Sequence, residues 1–158
     1  MSGHGSPGSD VTGFAGTRAV IVASSWHSTV MDGLIAGASR VIEAAGVTPE
    51  LHRVPGTFEL SIAAREAALS GADVVVALGV VIRGGTPHFD FVCNAATDGL
   101  NRVALDTGVP VGFGVLTCDD EQQALDRAGL PNSVEDKGAE AAAAAMNTWV
   151  VLHNIRQA

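Results

Sequence analysis

The sequence predicts a three-layer α/β/α sandwich around a four-stranded parallel sheet, doubly wound. Three observations carry that expectation. Apolar runs and helix-period segments alternate in the order β-α-β-α-β-α-β-α-α along 158 residues, a length that suits one domain. The apolar runs are near-continuous rather than alternating, as expected for strands buried on both faces of a parallel sheet. Right-handed crossovers between parallel strands then put helices on both sides.

Each element has its own signal. RAVIVAS (18–24) is a β-branched run and predicts the first strand. Residues 28–46 place Val30, Leu34, Ala38, Val41 and Ile42 at helical spacing, and Gly46 supplies a stop. ELHRV (50–54) is a short strand ended by Pro55-Gly56. Residues 57–71 read as a second helix closed by Gly71. ADVVVALGVVI (72–82) is the most apolar strand of the chain. A third helix is expected over 89–108, then a fourth strand over 109–117. Residues 119–129 open with Asp119, Asp120 and Glu121, acids that suit the positive end of a helix dipole. Residues 133–157 form an alanine-rich last helix, whose AEAAAAAM tract speaks for helix propensity and close packing. The first fifteen residues are Gly- and Ser-rich and predict a disordered tail before a single domain over 16–158.

Composition excludes several function classes. Hydrophobic residues make up 47% and charged ones 16%, enough apolar material for a core and for subunit contacts besides. No apolar run reaches the roughly 18 residues of a membrane span, and the N-terminus lacks the pattern of a signal peptide. The net charge of -8 argues against nucleic acid as a partner. The two cysteines, Cys93 and Cys118, have no CxxC spacing and cannot build a disulfide framework. Reduced thiols and a cytoplasmic location are expected on that ground.

Ligands of such sheets sit beyond the C-terminal ends of the strands. Those ends carry Ser25-Trp26-His27, then Pro55-Gly56-Thr57-Phe58-Glu59, then Arg83-Gly84-Gly85-Thr86-Pro87-His88, and last Thr117-Cys118-Asp119, with Phe113 inside the fourth strand. Gly79 to Thr86 reads G-x-x-x-x-G-G-T, a phosphate-binding P-loop without its lysine and with strand-like residues in the middle. That excludes a nucleoside-triphosphatase. Two readings remain. The glycine amides and the threonine hydroxyl cradle one phosphate at a helix start, or the glycines serve a tight turn at positive φ. His88 is a proton-transfer group or a structural histidine. His88 and Asp90 lack a third ligand, so no metal is expected. Glu59 is a ligand acceptor, or a dipole-stabilising or capping acid. Trp26 and Phe113 stack on a planar ring or belong to the core. Arg127 grips a phosphate or answers a helix dipole, and Lys137 has nearby carboxylates to pair with. His4, His27, His52 and His153 are given no role.

Taken together, VIVASSWH (20–27), VPGTFEL (54–60), GVVIRGGTPHFDFV (79–92), GFGVLT (112–117) and EQQALDRAG (121–129) resemble the lumazine synthase family, enzymes of riboflavin biosynthesis. The resemblance runs from about residue 16 to the C-terminus, and the third of these stretches is highly specific. It implies a flavodoxin-like fold. The activity implied joins 5-amino-6-(D-ribitylamino)uracil to 3,4-dihydroxy-2-butanone 4-phosphate, with no cofactor and no metal. Trp26 would stack on the pyrimidine. Thr57, Phe58 and Glu59 would bind the ribityl chain and its surroundings. Val80, Val81 and Ile82 would offer backbone groups to the pyrimidine edge. Gly85 and Thr86 would hold the phosphate, and His88 would transfer protons. Phe113, Arg127 and Lys137 would come from a neighbouring subunit, Arg127 on the phosphate, within a pentamer.

Two departures are local: Ser61 replaces a common proline, and Gly85 a larger residue. The turn RAGLPNSVEDKG (127–138) is longer than in relatives that assemble shells, which implies a free pentamer or at most a decamer. The competing readings are a non-catalytic flavin- or lumazine-binding module, a shell-forming container, and the archaeal-type riboflavin synthase that shares the fold.

Overall fold

The computed structural model describes residues 11–158. The elements run β1 (Ala19–Ser24), α1 (Ser28–Ala44), β2 (Glu50–Val54), α2 (Leu60–Leu69), β3 (Val74–Ile82), α3 (His88–Thr107), β4 (Val111–Cys118), α4 (Glu121–Leu125) and α5 (Lys137–Gln157). All strand pairs are parallel, in the order β2-β1-β3-β4. This is the flavodoxin-like arrangement read from the sequence, with its switch point between β1 and β3.

Strand alternation divides the core into two layers. Ile21, Val76 and Leu78 pack toward α1 and α5, with Met31, Leu34 and Met146 among their partners. Val20, Val22, Val75 and Ala77 pack toward α2 and α3, against Leu60 and Leu100. The expectation of burial on both faces holds for β1 and β3. It fails for β2, where Glu50, Leu51, His52 and Arg53 are all exposed, because β2 is an edge strand with no helix over it. Its start is tied down by Arg18, which donates to both carboxylate oxygens of Glu50 at 2.8 and 2.9 Å.

Several boundaries shift from the sequence reading. Residues 57–59 form a 3-10 turn before α2 begins at Leu60. Pro87 ends the turn, so α3 starts at His88, one residue early. The fourth helix is only five residues long, and the segment after it is a bonded loop rather than more helix. In that loop Asp126's carbonyl accepts from Val134 and Glu135, and Arg127's carbonyl accepts from Lys137. The last helix therefore starts at Lys137, not 133, with Asp136 as its cap accepting from the Ala139 N–H. Residues 1–10 of the expected tail lie outside the described residues. Phe14, however, is buried and meets Trp149 edge-on at 4.9 Å, so packed structure begins before residue 16.

The small residues of α5 have a mechanical role. A Cβ on Gly138 would collide with the Leu34 carbonyl of α1, and Ala139, Ala142 and Ala145 are buried behind it. Backbone cannot move aside as a side-chain tip can. Gly138→Ala is therefore expected to destabilise the fold by about 1–3 kcal/mol, read as a lower urea midpoint at unchanged slope. An unchanged midpoint would contradict this close approach.

Candidate active site

Three of the four strand ends, those of β1, β2 and β3 but not that of β4, converge on one cleft of about 300 Å³, at the small end of ligand-site volumes. Its walls come from four places: Trp26 and His27 after β1, Gly56 to Glu59 after β2, Val80 to Ile82 at the end of β3, and His88 with Val92 on α3.

Sheet register explains why β3 presents backbone here. Its pairing with β1 stops at Leu78, while its pairing with β4 continues to Ile82. The last four residues of β3 thus have one edge without a strand. Thr57, itself buried, donates its hydroxyl to the Val80 carbonyl on that edge at 3.2 Å. The Arg83 N–H bonds to Cys118 on the opposite edge at 2.9 Å. Backbone groups alternate along a strand, so Ile82 shares Val80's open edge and Val81 faces β4. Of the three residues expected to offer backbone groups, Val80 and Ile82 therefore lie on the open edge and Val81 on the edge paired with β4. The Thr57 hydroxyl likewise serves the fold, bracing the 3-10 turn against β3. Gly79 permits this, since a Cβ there would sit 2.8 Å from Thr57 Oγ1 and 2.9 Å from Leu60 Cδ1.

Trp26 is 68% exposed and Phe58 62%, so neither is a core residue. A Cβ on Gly56 would sit 3.1 Å from Glu59 Oε2 and 3.8 Å from the Trp26 indole, which brings that carboxylate and that ring to the same short backbone stretch. Glu59 makes no capping bond to the backbone of α2. Its reading as a capping acid therefore falls away, while it still stands as the acid of a helical first turn, and Glu59 lines the cleft.

His27, given no role in the sequence reading, lines the cleft too. It is the one described non-glycine residue at positive φ, 57°. Its carbonyl accepts from the Met31 N–H and starts α1. Residues held there cost roughly 1–3 kcal/mol and cluster at functional sites. The only sequence signal was residue type, because histidine enters this region more readily than most.

The Gly84-Gly85-Thr86 turn lies exposed beside the cleft, just before His88. Neither glycine has positive φ, and a Cβ on either would meet nothing within 4 Å. The reading as a turn that demands glycine is thus removed. α3 begins with no side chain capping its first turn, leaving its N-terminal N–H groups beside this turn. Burial is the main influence pushing both thiols up, so neither Cys93 nor Cys118 supplies a thiolate nucleophile near neutrality.

Five predicted site residues do not line this cleft: Gly85 and Thr86, in the exposed turn beside it, and Phe113, Arg127 and Lys137. Phe113 is 46% exposed on the edge strand β4, where Gly112 and Gly114 press on α5 and turn it to the other face. Arg127 donates to the Gln123 carbonyl at 2.9 Å, and its Nε is 3.9 Å from Glu135. Lys137 sits 3.1 Å from Glu135 and 2.7 Å from Glu140. Burial pulls its pKa down, but those two carboxylates prevail and raise it. Among the described residues, then, the cleft is lined by aromatic, carboxylate and imidazole groups and by no lysine or arginine.

Among the described residues no group of three or more His, Cys, Asp and Glu is arranged for a metal, and no helix is long and apolar enough to cross a membrane.

A family model described as 6,7-dimethyl-8-ribityllumazine synthase matches residues 16–153. The chain is 62% identical to a protein of that name from Leifsonia xyli subsp. xyli, over 99% of both chains. It is 61% identical to one from Clavibacter sepedonicus over the whole of both. Against one from Kineococcus radiotolerans it is 62% identical, over 98% of this chain and 96% of the relative.

Proposed function

The chain belongs to the 6,7-dimethyl-8-ribityllumazine synthase family, and on that premise we propose how its cleft carries out the reaction. It is a transferase of riboflavin biosynthesis. It condenses 5-amino-6-(D-ribitylamino)uracil with 3,4-dihydroxy-2-butanone 4-phosphate, releasing phosphate and water. The observation that carries the site assignment is the single cleft holding Trp26, Glu59, the open edge of β3 and His88 together. A non-catalytic binding module would have no use for His88 there, and a container would have no use for the cleft.

The exposed face of Trp26 stacks on the uracil ring. Val80 and Ile82 meet the edge of that ring with backbone groups, and Val81 and Phe58 complete the apolar wall. Glu59 accepts hydrogen bonds from the ribityl hydroxyls. Gly85, Thr86 and the start of α3 receive the phosphate, where backbone N–H groups and the helix dipole favour an anion. The 5-amino group attacks the ketone and loses water to give an imine. A proton then leaves carbon as the C–O bond to phosphate breaks, and His88 takes that proton. Ring closure onto the remaining carbonyl releases water again. Holding both reactants in one cleft supplies the proximity that such a condensation needs.

The missing cation comes from a second copy. Phe113, Arg127 and Lys137 complete the neighbouring cleft in a closed ring, for which we propose the pentamer. Exposed Ile62 and Leu69 on α2, Phe91 and Leu105 on α3, and Phe113 on β4 support such contacts. The 126–136 loop opposes further assembly into shells. Light scattering should give five 16.0 kDa chains, or ten at most; a particle near roughly a megadalton would overturn that limit. The free cysteines suit the cytoplasm, where we place the enzyme.

Trp26→Ala should raise KM for the pyrimidine substrate by about 5- to 150-fold, the equivalent of 1–3 kcal/mol of stacking. KM for the butanone phosphate should stay put. Steady-state assay of lumazine absorbance, varying each substrate in turn, checks this; equal rises in both would contradict a stacking role.

A further inference from the structure

Arg83 is not a wall of the cleft, yet it is the most connected side chain at its rim. Its Nε donates to Asp119 Oδ1 at 2.9 Å, and its Nη1 lies 3.5 Å from Asp90 Oδ1. Its guanidinium carbon sits 4.1 Å over the Phe89 ring. Its own N–H extends the β3–β4 ladder to Cys118. Asp119 is held in turn, its N–H donating to Gln123 Oε1 at 2.9 Å in the first turn of α4. Between these fixed points runs Gly84 to His88. A Cβ on Gly84 or Gly85 would touch nothing, so this turn has no packing of its own to shape it.

We propose that Arg83 is a positioning residue: it clamps the start of α3 to the ends of β3 and β4, and so sets where Thr86 and His88 stand. This rests on the reading of that turn as the seat of the phosphate. Each contact suits a brace better than a phosphate ligand. Two carboxylates already face the guanidinium, and its flat side is occupied by Phe89. Only arginine can stack and fork at once; lysine is a point charge on a flexible stem. The clamp also ties the turn to the β4–α4 corner, the segment that leads to Arg127.

The test is steady-state kinetics of the full chain with each substrate varied, for Arg83→Ala, Arg83→Lys, Asp119→Asn and Thr86→Val. Arg83→Ala and Asp119→Asn should each raise KM for the butanone phosphate by about 10-fold, the scale of a small misplacement. KM for the pyrimidine should be unchanged. Arg83→Lys should not rescue, and a double variant carrying Arg83→Ala and Asp119→Asn should be no worse than Arg83→Ala alone. If Asp119→Asn leaves or lowers the phosphate-substrate KM while Arg83→Ala raises it, Arg83 is a direct ligand and the proposal falls. If Thr86→Val raises that KM and neither Arg83→Ala nor Asp119→Asn does, the brace alone falls. If Thr86→Val has no effect, the turn is not the phosphate's seat and the proposal falls with it.

Discussion

Replacing His88 with alanine is expected to lower kcat by on the order of 10²-fold and to leave both KM values nearly unchanged. The imidazole stands on the first residue of α3, in one cleft with the open edge of β3. In the proposed reaction it takes a proton as the phosphate leaves. Trp26, Glu59 and the β3 backbone do not depend on it, so binding survives its removal. Activity should not vanish either, because both reactants are still held together and solvent can accept the proton slowly. Single-turnover measurement of phosphate release checks this directly. Complete loss of turnover with intact binding would show that His88 does more than move a proton. A rise in KM with kcat intact would show that it only binds.

Arg127→Ala should have its largest effect on the butanone phosphate. A charge-assisted bond of about 1.5–3 kcal/mol corresponds to a rise in that substrate's KM of roughly 10- to 150-fold. The Arg127 side chain donates to the Gln123 carbonyl and lies loosely against Glu135, at 3.9 Å, at a partly exposed position. At 3.9 Å that pair is long, and Lys137 at 3.1 Å still faces the Glu135 carboxylate when Arg127 is removed. The variant should therefore keep its urea midpoint while losing its grip on phosphate. A lowered midpoint with unchanged KM would make Arg127 a structural residue of the 126–136 loop and no part of any site.

The sheet and its helices were legible because β1 and β3 are apolar from end to end and the helices keep their period. β2 was found from Glu50 to Val54 by propensity, but its exposure was not, since edge position is a property of the sheet and not of five residues. The start of the last helix was misread because residues 133–136 make long-range bonds across the loop that no local pattern announces. In the cleft, Trp26, Glu59 and His88 could be named from the strand ends. The separate fates of Val80, Val81 and Ile82 could not, because they depend on where the β1 ladder stops. His27 escaped notice for a similar reason: φ is invisible in a sequence. The role of Arg83 is not legible between an apolar and a glycine-rich run, because one of its partners, Asp119, lies 36 residues away and the other, Asp90, 7.

One measurement bears most directly on the claim that each chain carries half a site. Chains with His88→Ala and chains with Arg127→Ala are unfolded, mixed in equal amounts and refolded together, then assayed with the butanone phosphate well below the unaltered enzyme's KM. If sites form between neighbours, about a quarter of them will pair an intact His88 with an intact Arg127. Activity of the mixture should rise well above that of either variant refolded alone. If each chain builds its whole site by itself, every site still lacks one group. Activity then stays at the mean of the two variants, and the shared-site account is wrong.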